Sequence, residues 1–321
     1  MKEIKKALVT GGAGFIGSHL VDALLSRGTR VTVLDNLSTG HRSNLGQALP
    51  KIDFIEGDIR DRVSVEAAAN NCDVIFHQAA VVSVPQTVED PVGSASVNTS
   101  GTLTILDVAR TQGVARVVLA SSCAVYGDDP AQPKYEDLSP QPKSPYALQK
   151  LIGEMHARLY YELYGLESIC LRYFNVFGPR QDPSSPYSGV ISIFMDRAIE
   201  KRAPVIYGDG EQSRDFVYVN DVVGANLLAA VAKSADGRAI NVGTGHNITI
   251  IRLWELISKF SDIDLTPDYE MPRPGDIQVS LADIRRARRD LEFEPEYHFK
   301  KGLESTFDWY SKSSRKKNFT F

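Results

Sequence analysis

The stretch Ala7-Leu-Val-Thr-Gly11-Gly-Ala-Gly14-Phe-Ile-Gly17 decides the fold of this chain. Its first four residues form a short apolar and β-branched run that predicts a buried strand, and a helical pattern over residues 15–27 follows. A strand that leads through regularly spaced glycines into a helix is the context of a dinucleotide-binding loop. Gly11 permits the turn, Gly14 lets backbone amides approach a pyrophosphate, and Gly17 lets the helix pack closely.

An acidic residue ends the next predicted strand. Asp35 follows the apolar run at residues 30–34. It lies near the roughly 20-residue distance from the glycine loop at which a carboxylate binds the ribose diol of NAD. The same carboxylate would repel the 2′-phosphate of NADP, because both groups are negative. The sequence therefore predicts NAD as the cofactor.

Short β-branched runs alternate with longer helical patterns through about residue 175. The predicted strands cover residues 7–10, 30–34, 53–56, 73–76, 116–119 and 168–171, and the predicted helices cover residues 15–27, 63–70, 98–112 and 146–164. The continuous apolar character of the strand runs is typical of strands that are buried on both faces. We therefore predict an α/β fold with a doubly wound parallel sheet, the Rossmann architecture.

The pattern changes after Asn175. A segment rich in Pro, Ser and Gly at 178–188 is followed by a helical pattern at 190–200. Strand-like runs return at 214–219 and 239–242, on either side of a helical run at 221–232. We predict a dinucleotide-binding domain of residues 1–175, rejoined by about 214–243, and a smaller C-terminal α/β substrate-binding region formed by 176–213 and 244–321.

The overall composition excludes several classes of protein. The chain has 321 residues, of which 43% are hydrophobic and 24% charged, as expected for a globular protein with a buried core. Its formal net charge of −4 argues against a nucleic-acid binder. The basic cluster Arg285, Arg286, Arg288 and Arg289 is flanked by acids, which is typical of a solvated helix face.

The cysteines and the amino terminus bear on location. Cys72, Cys123 and Cys170 are odd in number and lack metal-ligand spacing, so we expect free thiols in a reducing compartment and no metal site. The charged amino terminus lacks a signal-peptide pattern, and no run of about 18 apolar residues predicts a membrane span. We therefore expect a cytoplasmic protein without a membrane anchor.

A tyrosine and a lysine stand one helical turn apart. Ser144-Pro-Tyr146 is typical of a helix start, with the serine as N-cap, and Lys150 then lies on the same face as Tyr146. An ammonium group near a phenol lowers the pKa of that phenol, so Tyr146 is a candidate general acid and base. Tyr297 and Lys301 have the same separation, however, and spacing alone does not identify the site.

The preceding strand supplies the context that distinguishes the two pairs. The run at 116–119 continues into Ser121 and Ser122, which places a hydroxyl group at the carboxyl end of a predicted parallel strand. Ligands of α/β proteins bind at that end. Tyr297 has no such strand before it. We therefore predict Ser122, Tyr146 and Lys150 as the catalytic group.

This glycine spacing and this Ser-Tyr-Lys set resemble the extended branch of the short-chain dehydrogenase/reductase superfamily over nearly the whole chain. The resemblance implies that Ser122 hydrogen-bonds the reacting sugar hydroxyl, Tyr146 exchanges its proton, and Lys150 holds the nicotinamide ribose. It also implies contacts with the adenine ring from Asp58 and Ile59, and with the ribose and phosphate from Asn36, Ser38, Thr39 and Gly40. The other cofactor residues that it implies are Phe15, Ile16, Gln78, Ala79, Ala80, Asn98, Ser121 and Tyr173. For Asn98, the family's helix-stabilising asparagine and an ordinary helix cap are both open.

The second half of the chain resembles the nucleotide-sugar-binding part of the same family. In Leu171-Arg-Tyr-Phe-Asn175, the tyrosine would flank the nicotinamide and Asn175 would reach the sugar diphosphate. Val205 and Tyr207 resemble the nucleobase-binding strand, and two arginines suit a pyrophosphate because guanidinium groups form bidentate contacts with it. The substrate residues implied in this way are Ser83, Ser122, Tyr146, Asn175, Val190, Val205, Tyr207, Arg214, Arg273, Asp276 and Ser280.

The residues after Ser122 indicate the reaction. Dehydratases and decarboxylases of this family carry an acid two residues after the catalytic hydroxyl, whereas here Cys123 and Ala124 follow. The chain is most similar to the UDP-hexose 4-epimerases, which oxidise and re-reduce one carbon with tightly bound NAD. A dehydratase or decarboxylase, and a non-catalytic NAD-binding regulator on the same fold, are the alternatives.

Two further expectations follow from the resemblance. Ser280 matches a position that is tyrosine in some epimerases restricted to non-acetylated sugars, so a serine predicts conversion of UDP-GlcNAc and UDP-GalNAc alongside or above UDP-Glc and UDP-Gal. The helices at 98–112 and 146–164 are the surfaces through which this family forms dimers, and we expect a homodimer.

Overall fold

The computed structural model describes residues 4–182, 189–272 and 277–317 of the chain. The strands in these ranges are β1 (Lys6–Thr10), β2 (Arg30–Asp35), β3 (Asp53–Glu56), β4 (Val74–His77), β5 (Arg116–Ser122), β6 (Glu167–Tyr173), β7 (Asn175–Phe177), β8 (Val205–Tyr207), β9 (Ser213–Arg214), β10 (Phe216–Tyr218), β11 (Asp236–Val242), β12 (Ile248–Thr249), β13 (Asp268–Glu270) and β14 (Val279–Ser280).

The helices lie mainly between strands of the large sheet and around its end. They are α1 (Phe15–Ser26), α2 (Arg42–Leu45), α3 (Arg62–Ala69), α4 (Val84–Glu89), α5 (Pro91–Ala95), α6 (Thr102–Thr111), α7 (Pro145–Tyr164), α8 (Val190–Ile199), α9 (Val219–Val231), α10 (Ile250–Ser261), α11 (Arg285–Leu291) and α12 (Phe299–Lys317). A π-helical turn, Ser96–Gly101, precedes α6, so the helix predicted at 98–112 begins irregularly.

Seven parallel strands form the central sheet, in the order β11-β6-β5-β4-β1-β2-β3. The predicted doubly wound α/β fold is confirmed. The order runs outward in opposite directions from the neighbouring pair β1 and β4, so the topological switch point lies between them. In sheets of this kind a crevice lies at the carboxyl ends of the strands beside the switch point, and ligands bind there.

Alternation along the strands explains why both faces of the sheet are covered. In β1, Ala7 and Val9 join a core shared with α1, α9 and α11, whereas Leu8 joins a core shared with α3, α6 and α7. Successive side chains of a strand point to opposite faces, so an unbroken apolar run requires helices on both sides. The sheet is therefore the middle layer between two layers of helices. The carboxyl ends of its strands are not covered by these helices and are available for the site.

The C-terminal region has its own short strands and its own core. β8 pairs with β13, β7 pairs with β10, and β9 lies between β12 and β14. Aromatic residues, including Phe177, Phe194 and Trp254, form a third apolar core beneath them. The strand predicted at 214–219 is divided between β9 and β10 by the buried Asp215, and neither part joins the large sheet.

β11, by contrast, contains the run predicted at 239–242 and pairs with β6 at the edge of the large sheet. The chain thus returns to the sheet after the segment that carries β7 to β10. The division into two discontinuous domains with the boundaries given above stays a prediction.

The described residues also allow three expectations to be compared with the structure: free cysteines, the lack of a membrane-spanning helix and the lack of a metal site. Cys72, Cys123 and Cys170 are all free thiols. Within the described ranges, the helices are too short or too polar to cross a bilayer. The same ranges contain no cluster of His, Cys, Asp and Glu side chains able to hold a metal ion.

Candidate active site

Three glycines of the loop, Gly11, Gly12 and Gly17, are packed so closely that a Cβ atom cannot be accommodated. Gly11 has φ of +68°, and a Cβ atom there would lie 2.7 Å from the backbone nitrogen of Ala79. A Cβ on Gly17 would overlap the carbonyl oxygen of Gly11. Gly12, which the spacing argument did not single out, is equally constrained, because its Cβ would lie 2.7 Å from the Val33 side chain.

The start of α1 fits a dinucleotide pyrophosphate. Gly14 is the N-cap of this helix, no side chain caps it, and no acid lies in its first turn. The first amide groups of a helix have no partner within the helix and, with its dipole, attract anions. The glycine loop, the uncapped amides of Phe15 and Ile16, and Gly17 together form a cradle of the kind NAD requires.

Asp35 lies beside this cradle and is buried. Its carboxylate accepts hydrogen bonds from the backbone amides of Ala13 at 2.9 Å and Leu37 at 2.8 Å. A Cβ on Gly40 would lie 3.0 Å from both carboxylate oxygens. Asp35 therefore joins the glycine loop to the loop after β2, at the position expected for a ribose-binding acid.

The predicted adenine and ribose residues lie at the carboxyl ends of β2 and β3. Asn36, Ser38 and Thr39 are exposed, and Asn36 donates to the Asp58 carboxylate at 3.1 Å. Arg60 donates to both oxygens of Asp58, at 2.9 and 2.7 Å, and this contact lowers the pKa of Asp58 to about 2.

Ile59, next in the chain, is buried against Gly101, where a Cβ would lie 2.7 Å from the isoleucine side chain. The structure thus brings the adenosine-side residues together at one end of the crevice. The Asp58 carboxylate already accepts hydrogen bonds from Arg60, so an adenine ring that contacts Asp58 would share this carboxylate with Arg60.

The loop after β4 is held by Asn98. The Asn98 side chain accepts a hydrogen bond from the Val81 amide at 2.8 Å and donates to the Val81 carbonyl oxygen at 2.9 Å. It also donates to Gln149 of α7 at 2.7 Å. Asn98 therefore lies inside a π-helical turn rather than at a helix cap, and it fixes the loop of Gln78, Ala79 and Ala80 against α7.

The Ser-Tyr-Lys group assembles where β5 ends and α7 begins. Ser122 is the last residue of β5, and its hydroxyl is hydrogen bonded to that of Tyr146. Ser144 caps α7 by accepting the Ala147 amide at 3.2 Å, as predicted. Thr87 of α4 accepts the Tyr146 amide at 3.2 Å, which fixes the first turn of the helix against its neighbour.

Burial controls the pKa values of this group. It raises the pKa of Tyr146 to about 12, against the opposing hydrogen bond from Ser122. It also lowers the pKa of Lys150 to about 8. We expected Lys150 to lower the pKa of Tyr146, and for the chain alone that was wrong, because desolvation of the phenolate dominates.

Ser121 was predicted as a cofactor residue, but its side chain has another partner. Its hydroxyl donates to Glu154 of α7 at 2.5 Å, and Glu154 forms a bidentate ion pair with Arg172 at 2.9 and 2.7 Å. All three residues are buried. The Ser121 side chain therefore lies in this network, on the opposite face of β5 from Ser122.

Tyr173 is the last residue of β6, and Asn175 begins β7. The Tyr173 hydroxyl contacts Gln78 at 3.2 Å and Asn226 at 2.8 Å. Burial raises the pKa of Tyr173 to about 12, so this phenol stays protonated. The Asn175 side chain donates to the Asp215 carbonyl oxygen at 3.2 Å and is only partly buried.

Ser280 comes to the active-site edge through β14. It pairs in register with Arg214 of β9, and its side chain is hydrogen bonded to the Cys123 thiol, next to Ser122. Asp215, which also lies near Cys123, accepts four hydrogen bonds, from the amide and hydroxyl of Thr244 and from the amides of Gly245 and Ala282. This buried carboxylate is a structural hub that the sequence reasoning missed.

The remaining predicted substrate residues are less closely grouped. Ser83 caps α4 through the Gln86 amide at 3.1 Å, and Arg214 donates to the Ser213 carbonyl oxygen at 2.9 Å. Val190 begins α8, and Val205 and Tyr207 bound β8. Arg273 and Asp276 lie outside the described residues.

Besides Asp215, four buried residues that support the site were not predicted: Gly12, Thr87, Gln149 and Asn226. For Gly12 a signal existed, since it stands in the same glycine run. The other three depend on contacts between distant elements, which leave no spacing pattern.

The basic cluster of α11 is neutralised by neighbouring acids. Arg285 pairs with Asp283, Arg286 with Asp137, Arg288 with Glu294 and Arg289 with Asp290. These pairs support the solvated-face interpretation of this helix.

A dinucleotide cradle beside a Ser-Tyr-Lys group defines an enzyme that uses a nicotinamide cofactor. The chain belongs to the NAD-dependent epimerase/dehydratase family, whose model matches residues 7–243. NAD is its cofactor.

The proteins to which the chain is similar include epimerases and a decarboxylase. A putative UDP-glucose 4-epimerase of Methanocaldococcus jannaschii is 41% identical over 96% of this chain and 99% of the relative. A UDP-N-acetyl-alpha-D-glucosaminuronate decarboxylase of Bacillus cytotoxicus is 34% identical over 96% of this chain and 98% of the relative. The solved UDP-N-acetylglucosamine 4-epimerase of Methanobrevibacter ruminantium, in complex with UDP-N-acetylmuramic acid, has a TM-score of 0.93 and 41% identity, covering 97% of this chain and 99% of that chain.

Proposed function

We propose that the enzyme interconverts UDP-hexoses that differ at C4, through a transient 4-keto sugar and with NAD held tightly throughout. One observation carries this proposal. The hydrogen-bonded hydroxyls of Ser122 and Tyr146 lie at the carboxyl end of β5, and Cys123 and Ala124 follow where a dehydratase would carry an acid. The group is suited to moving one proton at one hydroxyl.

Each residue of this group has a role in the proposed reaction. Ser122 binds the C4 hydroxyl of the sugar, and Tyr146 takes its proton and later returns it. Lys150 donates to the Ala120 carbonyl oxygen at 2.8 Å, which holds its ammonium 5.8 Å from the centroid of the Tyr146 ring. NAD, when bound in the cradle of the glycine loop and Asp35, would supply the hydride acceptor and donor for C4 and a positive charge that favours the Tyr146 phenolate. In the chain alone Tyr146 is a neutral phenol, so it is held in the acid form until the site is filled.

Dehydration or decarboxylation is the alternative for this family. Within the described ranges, two carboxylates close to the site are already hydrogen bonded: Asp215 accepts four hydrogen bonds, and Glu154 accepts hydrogen bonds from Ser121 and Arg172. An additional acid and base are what those reactions require. This arrangement favours epimerisation over dehydration or decarboxylation as the reaction of the enzyme.

For the sugar, we propose UDP-GlcNAc and UDP-GalNAc, with UDP-Glc and UDP-Gal as further substrates. Ser280 is a small residue that touches Cys123, directly beside Ser122. A small side chain there leaves volume for a 2-acetamido group near the reacting carbon. The Methanobrevibacter ruminantium neighbour acts on a 2-acetamido sugar, which supports the same choice.

For the nucleotide, we propose that Val205 and Tyr207 flank the uracil and that Arg214 and Arg273 bind the diphosphate with Asn175. Arginine is suited to this task because its planar guanidinium forms bidentate hydrogen bonds with phosphate oxygens. Val190, Asp276 and Ser83 complete the proposed substrate contacts.

The test is a pair of epimerisation assays on the purified enzyme, with UDP-GlcNAc and UDP-Glc in parallel and the products separated by chromatography. We expect each sugar to be converted to its 4-epimer, with no net change in NAD. Conversion of UDP-Glc alone would contradict the proposed sugar preference. A keto or decarboxylated product, with no epimer from either sugar, would overturn the proposed reaction.

We also propose a homodimer built on α7. Leu148, Met155, Leu159 and Leu163 are between 45% and 64% exposed and recur at intervals that place them on one face of this helix. A contiguous apolar stripe on a helix surface is typical of an interface.

Light scattering after size-exclusion chromatography tests the proposed homodimer. It should give twice the mass of the chain for the wild type, and Leu159→Glu should give a monomer. A monomeric wild type would contradict the proposal.

We propose a cytoplasmic location for the enzyme. The three cysteines are free thiols, and free thiols persist in a reducing compartment. Fractionation of expressing cells should recover the enzyme with cytoplasmic markers, and recovery from an exported fraction would contradict this proposal.

A further inference from the structure

A buried polar triad joins three elements that are far apart in sequence. Gln78 lies just beyond β4, Tyr173 ends β6, and Asn226 lies in the middle of α9. The Gln78 side chain donates to Asn226 at 3.0 Å, the Asn226 side chain donates to the Tyr173 hydroxyl at 2.8 Å, and that hydroxyl donates to the side-chain amide oxygen of Gln78 at 3.2 Å. The three side chains therefore form a closed ring of hydrogen bonds, here called the Asn226 triad.

Asn226 is an unusual residue for its place in the fold. It has no solvent-exposed surface, and most other buried residues of α9, such as Val222, Ala225 and Ala229, are apolar. Its second amide hydrogen goes to the Val222 carbonyl oxygen at 2.8 Å, so both its donors and its acceptor are used. A buried amide is costly unless it is fully hydrogen bonded, and its geometry is then well defined.

The triad lies behind the crevice in which the cofactor binds. Tyr173 pairs in register with Ser122 across β5 and β6, so it stands beside the catalytic hydroxyl. Gln78 leads into Ala79, whose backbone packs against Gly11 of the glycine loop. Asn226 thus connects the end of β4, which borders the crevice, to the end of β6 on the far side of β5, and its side-chain hydrogen bonds go to neither Ser122 nor the glycine loop.

We propose that Asn226 is a positioning residue for NAD. Its hydrogen bonds hold the Tyr173 ring and the Gln78 side-chain amide in the orientation in which they line the cofactor crevice. The inference rests on the proposed function in one respect, because it takes the end of the crevice at Ser122 as the place where the reaction occurs. Asn226 touches no reacting atom. It acts through Tyr173 and Gln78, which would otherwise rotate toward other partners or water.

Removal of Asn226 has a definite physical consequence. Leucine in its place has a similar size but leaves the Tyr173 hydroxyl and the Gln78 amide without their partner in a buried setting. A buried polar group left unpaired costs enough that we expect the affinity for NAD to fall about tenfold. If the three residues act as one unit, Tyr173→Phe should add little to Asn226→Leu, because the shared hydrogen bonds are already lost.

The experiment is calorimetric titration of NAD into cofactor-free wild type, Asn226→Leu, Tyr173→Phe and the double variant, without any sugar. Thr306→Val is the matched control, since Thr306 is a fully buried hydroxyl on α12 that donates to the Gly302 carbonyl oxygen. Its stability should fall in urea unfolding while its NAD affinity stays that of the wild type. Gln78→Leu, at a half-buried position, serves if Asn226→Leu does not fold, and we expect it to weaken NAD binding about threefold.

Weaker NAD binding in Asn226→Leu, with the two single effects not adding in the double variant, would support the inference. Wild-type affinity in Asn226→Leu, or simple addition of the two effects, would overturn it. An equal loss in Thr306→Val would also overturn it, since the effect would then be one of general stability. Because no sugar is present, a wild type without epimerase activity would reject the proposed function and leave this result unaffected.

Discussion

The Lys150 ammonium lies 5.8 Å from the centroid of the Tyr146 ring, one turn along α7, and donates to the Ala120 carbonyl oxygen at 2.8 Å. Burial lowers the pKa of Lys150 to about 8 and raises that of Tyr146 to about 12. Both shifts favour the neutral form, as desolvation does. The chain alone therefore holds a protonated tyrosine beside a lysine whose charge is costly to bury.

This lysine makes the stability of the cofactor-free protein depend on pH. Below pH 8 Lys150 is charged in both states, and the folded state bears the full cost of the buried ammonium. From about pH 8 to the ordinary pKa of 10.5, the unfolded chain holds the proton and the folded chain does not, so stability rises with pH. We expect Lys150→Met to be more stable than wild type in urea unfolding at pH 7, with a difference that shrinks toward pH 10.5.

Lys301→Met is the control for this measurement. Lys301 is exposed on α12, and the difference between this variant and wild type should not change over the same pH range. A constant difference between Lys150→Met and wild type from pH 7 to 10.5 would contradict the buried-charge explanation.

Tyr146 carries the proton transfer in the proposed reaction. Tyr146→Phe should reduce kcat by roughly 10³-fold, within the range that general acid–base catalysis contributes. NAD should remain bound, because the glycine loop and Asp35 are untouched. Steady-state kinetics on the better UDP-sugar, with NAD content measured on the denatured protein, checks both parts.

Tyr297→Phe is the matched control for Tyr146→Phe. Tyr297 has the same spacing to a lysine, but its hydroxyl accepts a hydrogen bond from Asn220 at 3.1 Å and packs in the C-terminal core. Its kcat should stay near that of wild type. If the two variants lost activity equally, or if Tyr146→Phe remained active, the assignment of the general base would be wrong.

The sequence predicts those parts of the site that depend on local order along the chain. A strand, a glycine loop and the start of a helix follow one another from Ala7 to Gly17, and Ser144 to Lys150 lie within two helical turns. Strand alternation indicates that Ser121 and Ser122 point to opposite faces. That Ser121 turns to Glu154 depends on how α7 packs on the sheet.

The residues that sequence reasoning missed are those whose role comes from packing between distant elements. Asp215 holds loops at 244–245 and 282 by four hydrogen bonds, and Asn226 joins β4 to β6. No periodicity encodes these contacts. The lowered pKa expected for Tyr146 was wrong for the chain alone for a similar reason, because burial is a property of the fold and outweighs the hydrogen bond from Ser122.

Gly17 tests the packing of the cofactor cradle. A Cβ there would overlap the Gly11 carbonyl oxygen, so the loop must move. Gly17→Ala should lower the free energy of unfolding by about 1–3 kcal/mol, as overpacking does, and should abolish NAD retention. The measurements are urea unfolding and the NAD content of the purified protein.

Gly224→Ala is the control glycine, in α9. A Cβ at this position meets nothing within 4 Å. This substitution should leave NAD content unchanged and raise stability by about 0.5–1 kcal/mol, since alanine is favoured over glycine in a helix. Normal NAD retention in Gly17→Ala would show that the loop tolerates a methyl group and would contradict the close approach.

Ser280 tests the choice of sugar. Ser280→Tyr places a large ring beside Cys123 and Ser122, in the space that a 2-acetamido group would occupy. We expect kcat/KM for UDP-GlcNAc to fall at least about tenfold relative to that for UDP-Glc, since a steric mismatch in a pocket is worth that much discrimination.

Ser280→Ala removes the hydrogen bond to Cys123 but adds no volume, so it should leave the ratio of the two kcat/KM values unchanged. An equal loss on both sugars in Ser280→Tyr would mean that the ring blocks the site as a whole. A changed ratio in Ser280→Ala would mean that the hydroxyl, rather than the volume, selects the sugar.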